Sequence, residues 1–255
     1  MSAAPHDDAI EQARALVAAA RRIVVLTGAG ISTDSGIRDF RGPNGLWTTD
    51  PKAERTSNIE YYVTDPEVRR LAWQGRLDWL ATPRQPNDGH RALVALEPDG
   101  SLDTLVTQNI DGLHQAAGTD PARVVEIHGT VHQVVCLGCG ARSPMDATLD
   151  RVRAGQDDPD CLRCGGMLKS ATISFGQNLV EADLDRALEA ASTCDLLLAV
   201  GSTLSVYPVA AMVPLAARRD APVIIVNAQP TEMDDLARVV LRGSISDVLP
   251  AIVYR

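Results

Sequence analysis

Short β-branched runs alternate with Ala- and Leu-rich amphipathic stretches along the chain, a rhythm that predicts parallel strands covered on both faces by helices. Strands are expected at 23–27, 102–107, 124–127, 195–200, 222–227 and 238–241, most of them nearly continuous in apolar residues, as strands buried on both faces must be. Helices are expected at 7–20, 65–80, 88–96, 181–192 and 208–219, the first four opening on an acidic residue that suits the positive end of the helix dipole. Two stretches break the rhythm. Residues 39–86 begin with a loop rich in Gly, Pro and Asn and continue into a helical segment with Trp73 and Trp79, while residues 134–169 hold paired cysteines and little apolar periodicity. Both read as insertions that together form a smaller domain beside the sheet. The expected division gives 1–38, 87–133 and 171–255 to the sheet domain and 39–86 with 134–170 to the small one.

Length and charge narrow the class. A chain of 255 residues can bury roughly three quarters of the surface its unfolded form exposes and needs no disulfide framework. Its 24 Lys+Arg against 33 Asp+Glu give a net charge of −9, which argues against a nucleic-acid partner. The apolar runs are far too short for a bilayer, and the start of the chain carries Asp7, Asp8 and Glu11 rather than an apolar signal. The expectation is a cytoplasmic protein with neither nucleic acid nor membrane as partner.

Candidate chemistry sits where the strands end. Residues 23–27 run into Gly28-Ala29-Gly30-Ile31-Ser32, the way a strand turns into a phosphate-cradling helix start, although Thr33 stands where the third glycine of the dinucleotide fingerprint falls. The following Gly-rich segment, 35–47, has the makings of a lid over a bound ligand. The strand at 102–107 ends at Gln108-Asn109-Ile110-Asp111-Gly112-Leu113-His114, and that at 124–127 ends at His128-Gly129. Ligands of open parallel sheets bind at this edge, so amides, a carboxylate and an imidazole can converge on one crevice. His128 is the best candidate for a general base. His90 reads as solvent-facing or helix-capping, His132 as a neighbour of the cysteine module, and His114 as either packed or functional.

Cys136-x-x-Cys139 and Cys161-x-x-Cys164, separated by 21 residues, match a tetrahedral all-cysteine zinc site. With no open coordination position, such a site is structural. A redox dithiol needs one such pair opening a helix instead. Cys194 reads as a small core residue.

Taken in order, these segments resemble the sirtuin family of NAD-dependent protein deacylases. The resemblance is carried by Gly28-Ala29-Gly30-Ile31-Ser32 with Ser35-Gly36-Ile37, Asp39-Phe40-Arg41-Gly42, Thr107-Gln108-Asn109-Ile110-Asp111-Gly112-Leu113-His114 and His128-Gly129. The four cysteines, Phe175-Gly176, Gly201-Ser202-Thr203-Leu204 with Val206-Tyr207-Pro208, and Asn227 with Pro230-Thr231 follow in family order. The resemblance implies an α/β fold, a Rossmann-like parallel sheet domain with a smaller zinc-binding domain formed by two insertions, and NAD in the cleft between them. It implies that the turn from Gly28 to Ser32, with Ala29, Gly30, Asp39, Phe40 and Arg41, holds the pyrophosphate and covers the nicotinamide ribose. Asn109, Ile110 and Asp111 would form the pocket where nicotinamide leaves, Gln108 and His128 would face the ribose hydroxyls, and Gly201, Ser202, Asn227 and Ile245 would border the adenosine half.

The implied substrate is acyl-lysine on a protein, entering as an extra strand beside Phe175-Gly176-Gln177 and Val206. In the implied reaction its amide oxygen attacks the ribose anomeric carbon as nicotinamide departs, and His128, with Asn109 gripping the leaving group, then supplies the base that yields lysine and O-acyl-ADP-ribose. A mono-ADP-ribosyltransferase or a long-chain deacylase of lipoamidase type would share the first step. Several positions depart from the family pattern: Arg38 and Ser170 stand in place of prolines and Gln177 in place of an acidic residue. Members that take succinyl or malonyl groups carry Tyr-x-x-Arg where this chain has Trp73-x-x-Arg76, so neutral acyl groups are expected here.

Overall fold

The computed structural model describes residues 5–39, 45, 49 and 55–254. In chain order it begins with α1 (Pro5–Ala19), β1 (Ile23–Thr27), a 3-10 turn (Ala29–Ser35), α2 (Ile59–Thr64), α3 (Pro66–Ala81), α4 (Asp88–Val94), β2 (Leu102–Thr107), α5 (Leu113–Ala117) and β3 (Val124–Glu126). There follow β4 (Gly129–Cys136), β5 (Arg142–Pro144), α6 (Met145–Arg153) and β6 (Leu168–Thr172). The chain closes with α7 (Glu181–Thr193), β7 (Leu196–Val200), α8 (Met212–Ala217), β8 (Val223–Val226), β9 (Val239–Leu241) and α9 (Ile245–Val253).

Six of these strands pair in parallel in the order β3-β2-β1-β7-β8-β9. Alternate residues of each strand feed opposite cores because successive side chains point to opposite faces. Ile23, Val25, Leu105, Leu198 and Ile224 pack on one face against Ala13, Leu93 and Leu249 from α1, α4 and α9. Val24, Leu26, Val106, Leu197 and Ile225 pack on the other against Ala187, Ala191, Val213 and Ala216 from α7 and α8. With both faces covered, the sheet can offer a ligand only its edges and strand ends. Strand order reverses at β1, and the crevice between the C-terminal ends of β1 and β7 is the topological switch point at which such sheets bind ligands.

Beside this sheet, β4 pairs antiparallel with both β5 and β6. A third core joins Trp73 of α3 to Val134, Cys136, Met145, Leu149, Cys161 and Leu168. One apolar cluster thus welds the helical insertion to the cysteine-bearing one.

The structure amends several sequence expectations. The second insertion does carry a helical period, since Met145, Thr148, Leu149 and Val152 form the buried face of α6. Asp195 stays outside β7 because its carboxylate accepts the backbone N–H groups of Arg21 and Arg22, both at 2.9 Å. The helix expected at 208–219 is a 3-10 turn, Val209–Ala211, leading into the short α8. The terminal α9 was hidden by Pro250, which sits inside it. His90 is buried rather than solvent-facing and completes a capping box with Asn87 at the start of α4. No helix among the described residues is long and apolar enough to cross a membrane.

Candidate active site

Two glycine turns interlock at the switch point. Gly28 N–H donates to the Val200 carbonyl at 2.9 Å and Gly30 N–H to the Gly201 carbonyl at 2.8 Å. A Cβ on Gly28 or Gly30 would stand 2.7 Å from Gly201 backbone atoms, and one on Gly201, whose φ is +64°, would stand 2.5 Å from the Ile31 nitrogen. Close backbone approach, which only glycine permits, therefore builds the floor between β1 and β7. Above that floor opens a cavity of about 1470 Å³. That is larger than a typical small-molecule site of roughly 300–1,000 Å³ and has room for a dinucleotide and a second substrate together.

The polar residues after β1 and β2 bind one another as well as facing this space. Asn109 Nδ2 donates to the Gly28 carbonyl and to Ser32 Oγ, both at 3.1 Å. Ser32 Oγ donates to Asp111 Oδ2 at 2.8 Å, and Asp111 Oδ1 accepts the Leu113 N–H at 3.0 Å. Burial raises the Asp111 carboxyl pKa, while these bonds and the nearby His132 oppose the rise. Gly112, at φ +71°, lets His132 approach, and His132 Nε2 meets the Asp111 carbonyl oxygen at 2.9 Å. His132 thus braces this loop, whereas the sequence reading set it beside the cysteines.

His128 follows β3, and its Nδ1 lies 3.0 Å from the Gln108 carbonyl oxygen. A carbonyl only accepts, so Nδ1 carries the proton and Nε2 presents a lone pair. Burial lowers the His128 pKa, which keeps the ring neutral near pH 7. Gln108 Oε1 accepts from Ser202 Oγ at 2.9 Å, and its buried Nε2 has no partner among the described residues.

The structure brings most of the expected residues to the cavity wall: Ala29, Gly30, Ser32, Asp39, Gln108, Asn109, Ile110, Asp111, His128, Phe175, Gly176, Gln177, Gly201, Ser202, Val206, Asn227 and Ile245. Gly28 lies behind that wall, in contact with Gly201 and Ser202. Phe40 and Arg41, with most of the expected lid, fall outside the described residues. Phe175 differs from expectation: its N–H donates to the Ser57 carbonyl at 2.8 Å and its carbonyl accepts the Ile59 N–H at 3.0 Å. The cavity wall also includes Tyr62, Arg76, Trp79 and Lys169, which sequence reasoning did not place there. Lys169, one of only two lysines in the chain, sits in a wholly buried strand, and that was the available signal.

The four cysteine sulfurs gather within 4.8 Å of one another. Cys136 Sγ lies 3.5 Å from Cys164 Sγ, and Cys139 Sγ 3.9 Å from Cys161 Sγ. Sulfurs bound tetrahedrally to zinc at about 2.3 Å stand about 3.8 Å apart, so the quartet fits that ion. The Gly138 and Gly166 N–H groups point at Cys136 Sγ and Cys164 Sγ, each at 3.4 Å, which favours thiolates.

Known proteins agree with this geometry. The family model described as the Sir2 family matches residues 28–208. The chain is 48% identical over 231 residues to NAD-dependent protein deacetylase 2 of Streptomyces coelicolor, covering 91% of this chain and 96% of that protein. A structure from a study of the mechanism and regulation of Sir2 enzymes superposes with a TM-score of 0.87 at 36% identity, covering 97% of both chains. A Sir2 structure with a deacetylated p53 peptide and 3'-O-acetyl-ADP-ribose superposes with a TM-score of 0.86 at 30% identity, covering 95% of this chain and 96% of that one.

Proposed function

The chain belongs to the Sir2 family, and from that premise we propose that it is an NAD-dependent protein-lysine deacylase, moving the acyl group of acyl-lysine to ADP-ribose. The observation that carries the reading is the meeting of neutral His128 with Gln108, Asn109 and Asp111 in one cavity large enough for two substrates.

In this reading the turn from Ala29 to Ser32 and Asp39 face the NAD pyrophosphate and nearer ribose, and the family resemblance gives Phe40 and Arg41 the same ligand. Gly201, Ser202, Asn227 and Ile245 border the adenosine. Asn109 and Asp111, pre-set by Ser32, grip nicotinamide in a water-poor pocket and favour its departure as the acyl oxygen attacks the anomeric carbon. Asn109 spends its amide hydrogens on Gly28 and Ser32, leaving its carbonyl for nicotinamide. His128 Nε2 accepts the ribose proton so that the hydroxyl can attack the imidate carbon. The peptide pairs with Gly176 on one side and the stretch around Val206 on the other, with Phe175 and Gln177 shaping the mouth of the cleft.

Cys136, Cys139, Cys161 and Cys164 hold one zinc ion, which supplies cohesion to the third core and no reaction step. Residues 1–38, 87–133 and 171–255 form the NAD-binding body, and 39–86 with 134–170 the smaller module. β4 and β6 each straddle a boundary of that division and so tie the two together. The enzyme works in the cytoplasm on lysine side chains of other proteins. Incubation with NAD and an acetylated peptide tests the reading by mass spectrometry: O-acetyl-ADP-ribose and free lysine are expected. Label from NAD retained on protein, without deacylated peptide, would point to ADP-ribosyl transfer instead.

A further inference from the structure

The loop that carries Ile110 and Asp111 into the cavity is tied by its main chain to β4. The Val131 N–H donates to the Ile110 carbonyl at 3.0 Å, and His132 Nε2 lies 2.9 Å from the Asp111 carbonyl oxygen. A carbonyl only accepts, so His132 Nε2 carries the hydrogen. Neighbouring residues of one strand thus hold neighbouring carbonyls of the loop, and neither Val131 nor His132 lines the cavity. The imidazole fits against the loop because Gly112 has no side chain: a Cβ there would stand 2.8 Å from Nε2 and 2.9 Å from Cδ2 of His132. Gly112, at φ +71°, also makes other backbone conformations cheap, so the Asp111 carbonyl stays in place only if something outside the loop holds it. Any residue at 131 would supply the main-chain tie; the tie from 132 depends on its side chain.

The same imidazole faces two carboxyl groups, Asp111 from the loop and Glu126 from the end of β3. Burial raises the pKa of both. Hydrogen bonds from Leu113 and Ser32 oppose the rise at Asp111, bonds from Gln115 and Thr130 oppose it at Glu126, and positive charge on His132 opposes it at both. Asp111 accepts a hydrogen at each oxygen, from Ser32 and from the Leu113 N–H, so its surroundings are arranged for the ionised form.

We propose that His132 is a positioning residue of the leaving-group pocket, holding the loop on which nicotinamide departs and returns through its bond to the Asp111 carbonyl and its charge beside the Asp111 carboxylate. The proposal rests on the deacylase reading and adds to it a side chain that touches neither substrate. It also gives β4 a second task, since the strand that begins directly after His128 and ends on Cys136 fixes the pocket opposite the base.

The test follows exchange of labelled nicotinamide into NAD in the presence of an acetylated peptide, and deacylation of that peptide, in the unmodified protein, His132→Leu and His132→Gln. Gln keeps an N–H for the carbonyl and loses the charge; Leu loses both. At pH 8 the nicotinamide concentration for half-maximal exchange should rise about tenfold in His132→Leu, and His132→Gln should recover most of that loss. KM for the peptide should move by less than about twofold in either variant, which a general disturbance of the fold would not allow. The acid limb of exchange should move to higher pH in both variants, because both lose the charge that opposes the rise at Asp111. His132 is exposed, and the displaced limb in His132→Gln is read independently of whether the Leu variant folds. Half-maximal exchange unmoved in folded His132→Leu, an acid limb unmoved in His132→Gln, or a peptide KM that rises in both variants overturns the proposal while leaving deacylation intact. Neither exchange nor deacylation by the unmodified protein overturns the deacylase reading and this proposal together.

Discussion

His128 Nδ1 sits 3.0 Å from the carbonyl oxygen of Gln108, and that contact decides which imidazole nitrogen is free to take a proton. Because burial lowers the His128 pKa, the base is already neutral at pH 7, and activity should fall only as pH drops through a value below the ordinary imidazole range. Replacement by Ala should cost about 10²-fold or more in kcat with fold and zinc content unchanged. A pH profile of kcat/KM with zinc analysis of the variant checks both; wild-type-like turnover would remove His128 from the base role.

Ser32 touches both Asn109 and Asp111, the two side chains proposed to grip the leaving nicotinamide. Ser32→Ala removes a bond that lowers the Asp111 pKa, so any acid limb due to Asp111 should move to higher pH. Exchange of labelled nicotinamide into NAD, measured against pH, should slow by about tenfold and show the displaced limb.

Gly201 and Gly100 separate crowding from backbone conformation. Both have positive φ, +64° and +77°, but a Cβ at Gly100 meets open space whereas one at Gly201 stands 2.5 Å from the Ile31 nitrogen. Gly100→Ala should cost about 1–2 kcal/mol and leave NAD affinity alone. Gly201→Ala should cost about 1–3 kcal/mol more and weaken NAD binding. Thermal melts and calorimetry on both variants decide it; equal effects would show that the interlock is not the constraint.

Removing the zinc ion should loosen the core around Trp73, because Cys136 and Cys161 belong to that cluster. Chelation or Cys161→Ala should release the ion, alter tryptophan fluorescence and lower the melting temperature by several degrees. Unchanged fluorescence after verified metal loss would make the module independent of its ion.

His90 and His114 meet in the interior with ring centroids 4.9 Å apart and ring planes tilted by 56°. Burial pushes His90 down to about 4, and His114 well below its ordinary value. The unfolded chain therefore binds protons that the folded one refuses, and stability is lost as pH falls from about 6.5 toward 4. For His90 alone the loss approaches roughly 3 kcal/mol below both values. Denaturant melts should show this slope in the native protein and a flatter one in His90→Gln; equal slopes would exclude His90 as its source.

The parallel sheet was legible because strands buried on both faces are nearly continuous in apolar and β-branched residues, and 23–27 and 102–107 were placed to the residue. The cysteine pairs were legible because their spacing alone implies a shared ion. Helix α6 was missed because its buried face includes Thr148, a polar residue that breaks the apolar pattern. Phe175 was expected to offer backbone to a substrate, but its partners Ser57 and Ile59 lie more than a hundred residues earlier in the chain.

Local pattern by itself determined the strands of the parallel sheet, turn glycines, the metal ligands and the order of polar clusters, since each depends on spacing within a few residues; β4, β5 and β6 were not foreseen. Tertiary structure alone decided what those groups face. It set the tautomer of His128, the crowding between Gly30 and Gly201, the brace from His132 to Asp111, and the meeting of Arg76 with Lys169. Each of these depends on distances between segments far apart in the chain, and hydrogen bonding and desolvation are settled only when folding fixes such distances and removes the intervening water.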